Sequence, residues 1–309
     1  MSTFKRGGLN LKLKKKKGNG LSTLENRYGW GFITPSTILI TILVFIPMIQ
    51  AFITSLQSGL ANNLRFVGIE NYIRLLSDQT FLKAAGNTFL YLIIQVPIMI
   101  ILSLIIAATL NDKKLKFKGF FRIAIFLPCI TSLVAYSIIM KSLFANDGIM
   151  NQLLLNLNLI SSPIQWVTDS LFAKILIIIA ITWRWTGYNM IFYLSGMQNI
   201  DPSIYEAAEI DGASTFTKFT KITIPMLKPI ILFTTITSTI GTLQLFDEVV
   251  NITGGGPANA TITLSQYIYN LSFKYSPNFG YAAAVAFVIV IAIVILSIIQ
   301  MKVGGKDND

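Results

Sequence analysis

Six apolar stretches punctuate the chain: Phe32 to Phe52, Asn87 to Leu110, Ile123 to Phe144, Leu171 to Ser195, Pro229 to Leu245 and Tyr281 to Gln300. A helix needs roughly 20 residues to cross a bilayer hydrocarbon core of about 30 Å. Runs such as IIQVPIMIILSLIIAA and VAFVIVIAIVILSII are apolar on every side, where a soluble core helix carries a single apolar stripe. The pattern predicts an all-α integral membrane protein of six transmembrane helices, the fifth of them the shortest.

Composition agrees: 53% of the 309 residues are hydrophobic and 13% charged, against about 25% charged in a soluble domain. The chain has no His and a single Cys, Cys129. That excludes a disulfide framework, a His/Cys metal site and Ser/His or Cys/His catalysis and leaves carboxylates, Lys and Tyr for an enzyme; the clustered carboxylates Asp201, Glu206, Glu209 and Asp211 lie in a loop without a predicted pocket, so neither a metal site nor a catalytic residue is expected. The net charge of +11 is placed unevenly. Eight basic residues precede the first stretch (Lys5, Arg6, Lys12, Lys14 to Lys17 and Arg27). Five follow the second (Lys113, Lys114, Lys116, Lys118 and Arg122), three follow the fourth (Lys218, Lys221 and Lys228), and Lys302 and Lys306 close the chain. The opposite side carries Arg65, Arg74, Lys83 and Lys274. Because basic residues in short loops stay inside, both termini are expected in the cytoplasm of a multi-pass protein of the cell (inner or plasma) membrane.

Residues 1–29 read as a basic arm beside anionic lipid, residues 30–302 as the membrane domain and 303–309 as a tail. No aromatic residues interleave the lysines of KLKKKK, so no nucleic-acid partner is expected. The first apolar segment is too long for a signal peptide and lacks an A-x-A site, so it reads as a retained span.

The loop 196–228, GMQNIDPSIYEAAEIDGASTFTKFTKITIPMLK, has structure of its own. Asp201 and Pro202 read as N-cap and first helical position, and Ser203 to Asp211 as a short helix stopped at Gly212. Ser214 caps a second short helix through Phe219 and Ile222, closed by Pro225 and Pro229. Glu206, Ala207, Ala208 and Gly212 join one charge to small residues, a surface on which another backbone can approach closely; good helix formers and a C-cap account for the same residues without docking.

The order Glu206-Ala207-Ala208, then Gly212, then Ile222-Thr223-Ile224-Pro225, with Asp211, Ala213, Phe219 and Pro229, resembles the EAA loop of permease subunits of ABC importers. It falls between the fourth and fifth spans, where that family places it. Ahead of it, WRWTGYNMIFYLSGMQNI resembles the W-x-G-[YF]-N…L-x-G-[LM]-Q-x-I segment of carbohydrate permeases of the maltose, multiple-sugar and glycerol-phosphate type. Behind it, LQLFDEVVNITGGGPANATITLSQYIYNLSFKY resembles the F-D-x-x-x-x-[LI]-T-x-G-G-P segment of the subunit like the maltose transporter's larger permease. The likeness covers about Trp30 to Lys302, without that subunit's extra N-terminal spans and large external insertion.

This resemblance implies a type I ABC importer permease fold whose EAA loop is a cytoplasmic coupling helix. Tyr205, Glu206, Ala207, Ala208, Asp211, Gly212, Ala213, Phe219, Ile222 and Pro225 then form the ATPase-docking surface. It also implies partners: a second homologous permease, two copies of an ABC ATPase, and an extracellular or periplasmic sugar-binding protein. No cofactor belongs to this chain, since ATP and Mg bind the ATPase, and no P-loop occurs in it.

A sugar needs hydrogen-bonding groups and an aromatic face. Trp185, Tyr188 and Asn189 fall on one face of span four, and by alignment Tyr188 falls near a sugar-contacting position of the family. Span five carries Ser238, Thr242 and Gln244, with Phe246 and Asp247 at its end. Helix back-bonding and interspan packing are the competing use of these residues. Arg184 lies well inside span four and needs a partner or water; Asp247, Glu248, an anionic substrate such as glycerol phosphate, or snorkelling each supply one. TGGGP at 253–257 reads as an external turn. An autonomous carrier or channel would need coupling carboxylates or a pore-lining repeat within the spans, and neither is present. A non-transporting scaffold leaves the polar residues of spans four and five unexplained. The sequence therefore points to a permease importing a di- or oligosaccharide, with a polyol phosphate as the alternative, and not to an enzyme.

Overall fold

The computed structural model describes residues 21–59, 64–112 and 114–305. The lysine-rich arm before Leu21 lies outside these residues. Compact contacts divide the chain between Ala51 and Phe52.

In the first unit, α1 (Leu21–Ile40) runs through a π turn (Thr41–Phe45) into α2 (Ile46–Ser55). Pro47 has no N–H and crowds the carbonyl four residues back, Leu43, which sits at the centre of that turn. Large apolar side chains such as Phe32, Leu43 and Ile49 are exposed along it, as a lipid-facing helix requires, and Asn26–Ser55 is long and apolar enough to span a membrane.

In the second unit a two-residue antiparallel pair, β1 (Gln57–Ser58) with β2 (Arg65–Phe66), leads to the short α3 (Glu70–Leu75). Helix α4 (Gln79–Asn111) follows, started by Asp78, whose carboxylate accepts from the Thr80 and Phe81 amides at 2.8 and 3.2 Å. One face of α4 buries Ala84, Tyr91, Met99 and Ala107, while Ile93, Ile101 and Ile105 stay exposed. α8 (Ser170–Gln198), capped by Asp169, packs along it.

The third predicted span is not one straight helix. α5 (Lys118–Ile130) and α6 (Leu133–Leu143) meet at 104° across Thr131 and Ser132, both in extended backbone. Pro128 removes one helical donor, and the last turn closes on Thr131, whose N–H and hydroxyl both reach the Leu127 carbonyl, at 3.1 and 2.7 Å. After α7 (Ile149–Asn156) and α8 come three short helices, α9 (Pro202–Ile210), α10 (Thr215–Lys218) and α11 (Ile224–Met226). The fifth span is α12 (Lys228–Leu243), about 24 Å long at 1.5 Å per residue. It is bent 69° from the helical run Thr215–Met226. α13 (Asp247–Ile252) and α14 (Leu264–Tyr269) precede the last span, α15 (Phe279–Gly304). Among the described residues, four helices are long and apolar enough to cross a membrane, and six segments are if each bent pair counts as one span.

The core falls into three buried clusters. One centres on Tyr281, Tyr267 and Ile262, one on Tyr91, Tyr136 and Leu176, and one on Met190, Tyr193 and Leu227. Two glycines set the closest approaches. A Cβ at Gly187 of α8 would collide with the Ile125 carbonyl oxygen of α5, and one at Gly280 with that of Gln57.

Candidate functional site

A cavity of ≈ 170 Å³ lies between α4, α8 and α12. Gln95 and Met99 come from α4, Ile181, Trp185 and Tyr188 from α8, and Thr237, Ser238, Gly241 and Thr242 from α12, with Leu245 just beyond. The wall is aromatic on one side, where Trp185 and Tyr188 meet edge to face at 5.7 Å and 88°. Opposite, Thr242 Oγ1 lies 3.1 Å from Gln95 Oε1 and 2.9 Å from the Ser238 carbonyl, and its single proton serves one of them at a time. The Gln95 amide donates to the Met99 sulfur at 3.3 Å, a weak acceptor. No Asp, Glu, Lys or Arg lines this cavity.

Of the eight pathway residues read from the sequence, Trp185, Tyr188, Ser238 and Thr242 line the cavity and four do not. Asn189 is buried behind the wall, donating to the Met99 sulfur at 3.2 Å and the Trp185 carbonyl at 3.0 Å. Gln244 is the exposed C-cap of α12, Phe246 packs on Tyr269 at 5.3 Å, and Asp247 is exposed. Gln95 and Met99 were not singled out from the sequence. The available signal was one amide in the middle of the long apolar second span, but only the packing of α4 on α8 and α12 turns it toward the others. The partner of Arg184 is Glu248, at 3.6 Å, not Asp247.

The second candidate region is the hairpin α9–α11. Asp201 accepts from the Ser203 amide at 2.9 Å, which with the Ser203 side chain holds its carboxyl below the usual carboxylate range. The helix ends in a Schellman pair: Ala213 N–H reaches the Ala208 carbonyl at 2.8 Å and Gly212 N–H that of Glu209 at 3.0 Å. Gly212 has φ +76°, a conformation that favours glycine. Ser214 Oγ accepts from Thr217 N–H at 3.1 Å and starts the second helix. That helix closes between Pro225 and Pro229, as the sequence suggested, at Met226. The run passes through a π turn at Phe219–Thr223, with Lys221, four residues before Pro225, at its centre.

Two contacts tie the hairpin together: Tyr205 OH with Thr223 Oγ1 at 2.8 Å, and Lys218 Nζ with Glu209 at 2.6 Å. That lysine, by hydrogen bond and charge, holds the Glu209 carboxyl below its usual value. Glu206, Ala207, Asp211, Gly212 and Pro225 are exposed; Tyr205, Ala208, Ala213, Phe219 and Ile222 are half-buried. Ile210 and Phe216 are 87% and 75% exposed, and Glu206 makes no hydrogen bond or ion pair with any described residue. The hairpin thus exposes an unpaired carboxylate and two large apolar side chains, chemistry suited to a protein contact.

Residues 76–303 match the family model described as "Binding-protein-dependent transport system inner membrane component". The chain belongs to this family. The lactose transport system permease protein LacF of Rhizobium radiobacter is 55% identical over 90% of this chain and 95% of its own length. The arabinooligosaccharides transport system permease protein AraP of Bacillus subtilis is 35% identical over 89% and 88%. A crystal structure of a bacterial ABC transporter involved in import of the acidic polysaccharide alginate superposes with a TM-score of 0.81, covering 94% of this chain and 99% of that one at 19% identity. The fold is that of a type I ABC importer permease. The chain is thus a multi-pass inner-membrane permease, not an enzyme, and ATP hydrolysis occurs in a separate subunit.

Proposed function

We propose that this permease forms half of the translocation pathway of an ATP-driven importer for an uncharged di- or oligosaccharide, with lactose the first substrate to test. The observation that carries the reading is the cavity wall: an amide, hydroxyls and two aromatic rings, with no charged side chain. These groups match the hydroxyls and C–H faces of a neutral sugar. A polyol phosphate needs a cation, and the nearest buried one, Arg184, is already paired with Glu248. LacF, by its name a lactose permease, supports the same choice.

The hairpin is the coupling element of this reading. Glu206, Ala207, Ala208 and Gly212 dock on a cytoplasmic ATPase, with Ile210 and Phe216 beside them. A second permease contributes the other half, two ATPases bind ATP and Mg, and a binding protein delivers sugar to the outer face. In this reading both termini lie in the cytoplasm, which the distribution of lysines and arginines supports. At ≈ 170 Å³ the cavity is smaller than the roughly 300 Å³ at which ligand pockets usually begin, and in this reading the second permease completes it. Closure of the ATPases draws the hairpins together and spreads the cavity outward, and hydrolysis returns it inward.

The test is uptake of labelled lactose by the complete importer in proteoliposomes containing ATP. The reading expects ATP-dependent accumulation that Thr242→Val slows. ATP-dependent uptake of glycerol phosphate in place of lactose contradicts the neutral-sugar assignment.

A further inference from the structure

Two buried amides share one thioether at the edge of the cavity. The Gln95 amide donates to the Met99 sulfur at 3.3 Å, and the Asn189 amide donates to the same sulfur at 3.2 Å. Sulfur is a weak acceptor. Gln95, Met99 and Asn189 are 1%, 0% and 1% exposed, so each polar atom depends on what the chain sets beside it. Asn189 is the less satisfied of the two. Its amide nitrogen also donates to the Trp185 carbonyl at 3.0 Å, one helical turn back, which orients the group and leaves Oδ1 with no hydrogen-bond partner. Gln95 Oε1, by contrast, lies 3.1 Å from the Thr242 hydroxyl. Stability alone gives no reason to keep an amide at 189, since leucine has nearly the same shape and no buried oxygen to satisfy.

Met99 is the side chain through which Asn189 meets the cavity. Gln95 and Met99 line it, whereas Asn189 does not and touches that lining at the sulfur. A methionine side chain is unbranched, turns about three bonds and adapts its shape. Moving it aside frees one donor on Gln95 and one on Asn189 and uncovers Asn189 Oδ1. A hydroxyl is the ligand that fits. Its oxygen accepts an amide N–H better than a thioether does, and its proton goes to the open Oδ1.

We propose that Gln95 and Asn189 form a subsite for one hydroxyl of the transported sugar, covered in this structure by Met99. The inference rests on the cavity being the sugar site and names the residues that select among neutral sugars. A site built around a hydroxyl rejects the analogue that lacks it, because the amides are then left on the sulfur.

The test competes a set of monodeoxy lactoses against labelled lactose on the complete importer trapped with vanadate. Every sample holds the same binding protein, so its own preferences cancel when each variant is divided by native. Asn189→Leu and Gln95→Leu are each expected to reduce the penalty for one and the same missing hydroxyl about tenfold relative to native, with the penalties for the others kept. Met99→Ala, which uncovers the subsite, is expected to keep that penalty and to bind lactose at least as tightly as native. If Asn189→Leu weakens lactose and every analogue alike, or leaves every penalty native, the subsite is wrong; a penalty lost in Gln95→Leu or Thr242→Val then shows the cavity still standing. If Trp185→Ala and Tyr188→Ala bind lactose as native does, the cavity reading itself fails. Co-purification of the ATPase and the second permease reports assembly. Asn189→Ala replaces Asn189→Leu if the latter does not assemble. If neither does, Met99→Ala decides: lactose bound about fivefold more weakly there overturns the proposal.

Discussion

The hairpin takes all its features from one continuous segment, Pro202 to Met226, whereas the cavity joins Gln95 to Thr242 across 147 residues of chain. The hairpin is exposed and charged; the cavity lies between helices and is lined by uncharged side chains. Local hydrogen bonds hold the first, through Asp201, Gly212 and Ser214. Packing of three long helices holds the second. A docking surface must present itself to a protein that arrives from water, while a sugar path must hide polar groups from lipid. A transporter built this way is open to separate attack on coupling and on substrate handling.

Glu206→Lys has the largest expected effect. Reversing an unpaired charge at the centre of a docking surface costs about 2 kcal/mol or more, roughly thirtyfold in ATPase affinity. Sugar-stimulated ATP hydrolysis by the complete importer measures it, and lactose bound in the cavity is expected to stay near native. Gly187→Ala comes next and attacks the cavity side. Forcing α8 away from Ile125 costs about 1–3 kcal/mol, read as a lower Tm of the purified importer and slower uptake, with ATPase docking unchanged. A milder cavity probe is Thr242→Val, which removes the hydroxyl facing Gln95. Loss of that bond is worth about 1 kcal/mol, roughly fivefold in lactose Kd.

Asp78 supplies the smallest effect and belongs to neither region. Burial pushes its carboxyl up, but the hydroxyls of Tyr267 and Tyr281 and the amides of Phe81 and Thr80 together hold it below the usual carboxylate range. A carboxyl lowered in the folded state stabilises fully above its ordinary value and loses that contribution as pH falls through the depressed one. Asp78→Ala is therefore expected to lower Tm by a cap's worth, about 1 kcal/mol, at neutral pH. The difference between native and variant should vanish in strong acid, which a thermal melt across pH reads directly.

How much of each region the sequence disclosed follows from the same contrast. Capping is decided by neighbours two to five residues away, so the start at Asp201, the stop at Gly212 and the restart at Ser214 were legible. Apolar composition disclosed the spans but not their shape. IFLPCITSLVAY carries Pro128, Thr131 and Ser132 at the break, local signals that a count of apolar residues passes over, and none of them gives the angle of 104°. Pro225 and Pro229 bracket the end of the hairpin's second helix as expected, at Met226, although the π turn at Phe219–Thr223 inside that run was not foreseen. In span four, Trp185, Tyr188 and Asn189 share a helical face, yet the Met99 sulfur draws Asn189 behind the wall. The place of Gln95 in the cavity and the pairing of Glu248 with Arg184 depend on which helices touch, and a single chain of letters does not carry that.

The most direct measurement of the central claim is co-purification of the ATPase with the native permease, Glu206→Lys and Gly212→Pro, all with the second permease present. Proline fits neither the φ of +76° nor the N–H that Gly212 gives to Glu209. The account predicts that both variants lose the ATPase and keep the second permease. Retention of the ATPase and of full lactose transport by both variants would contradict it.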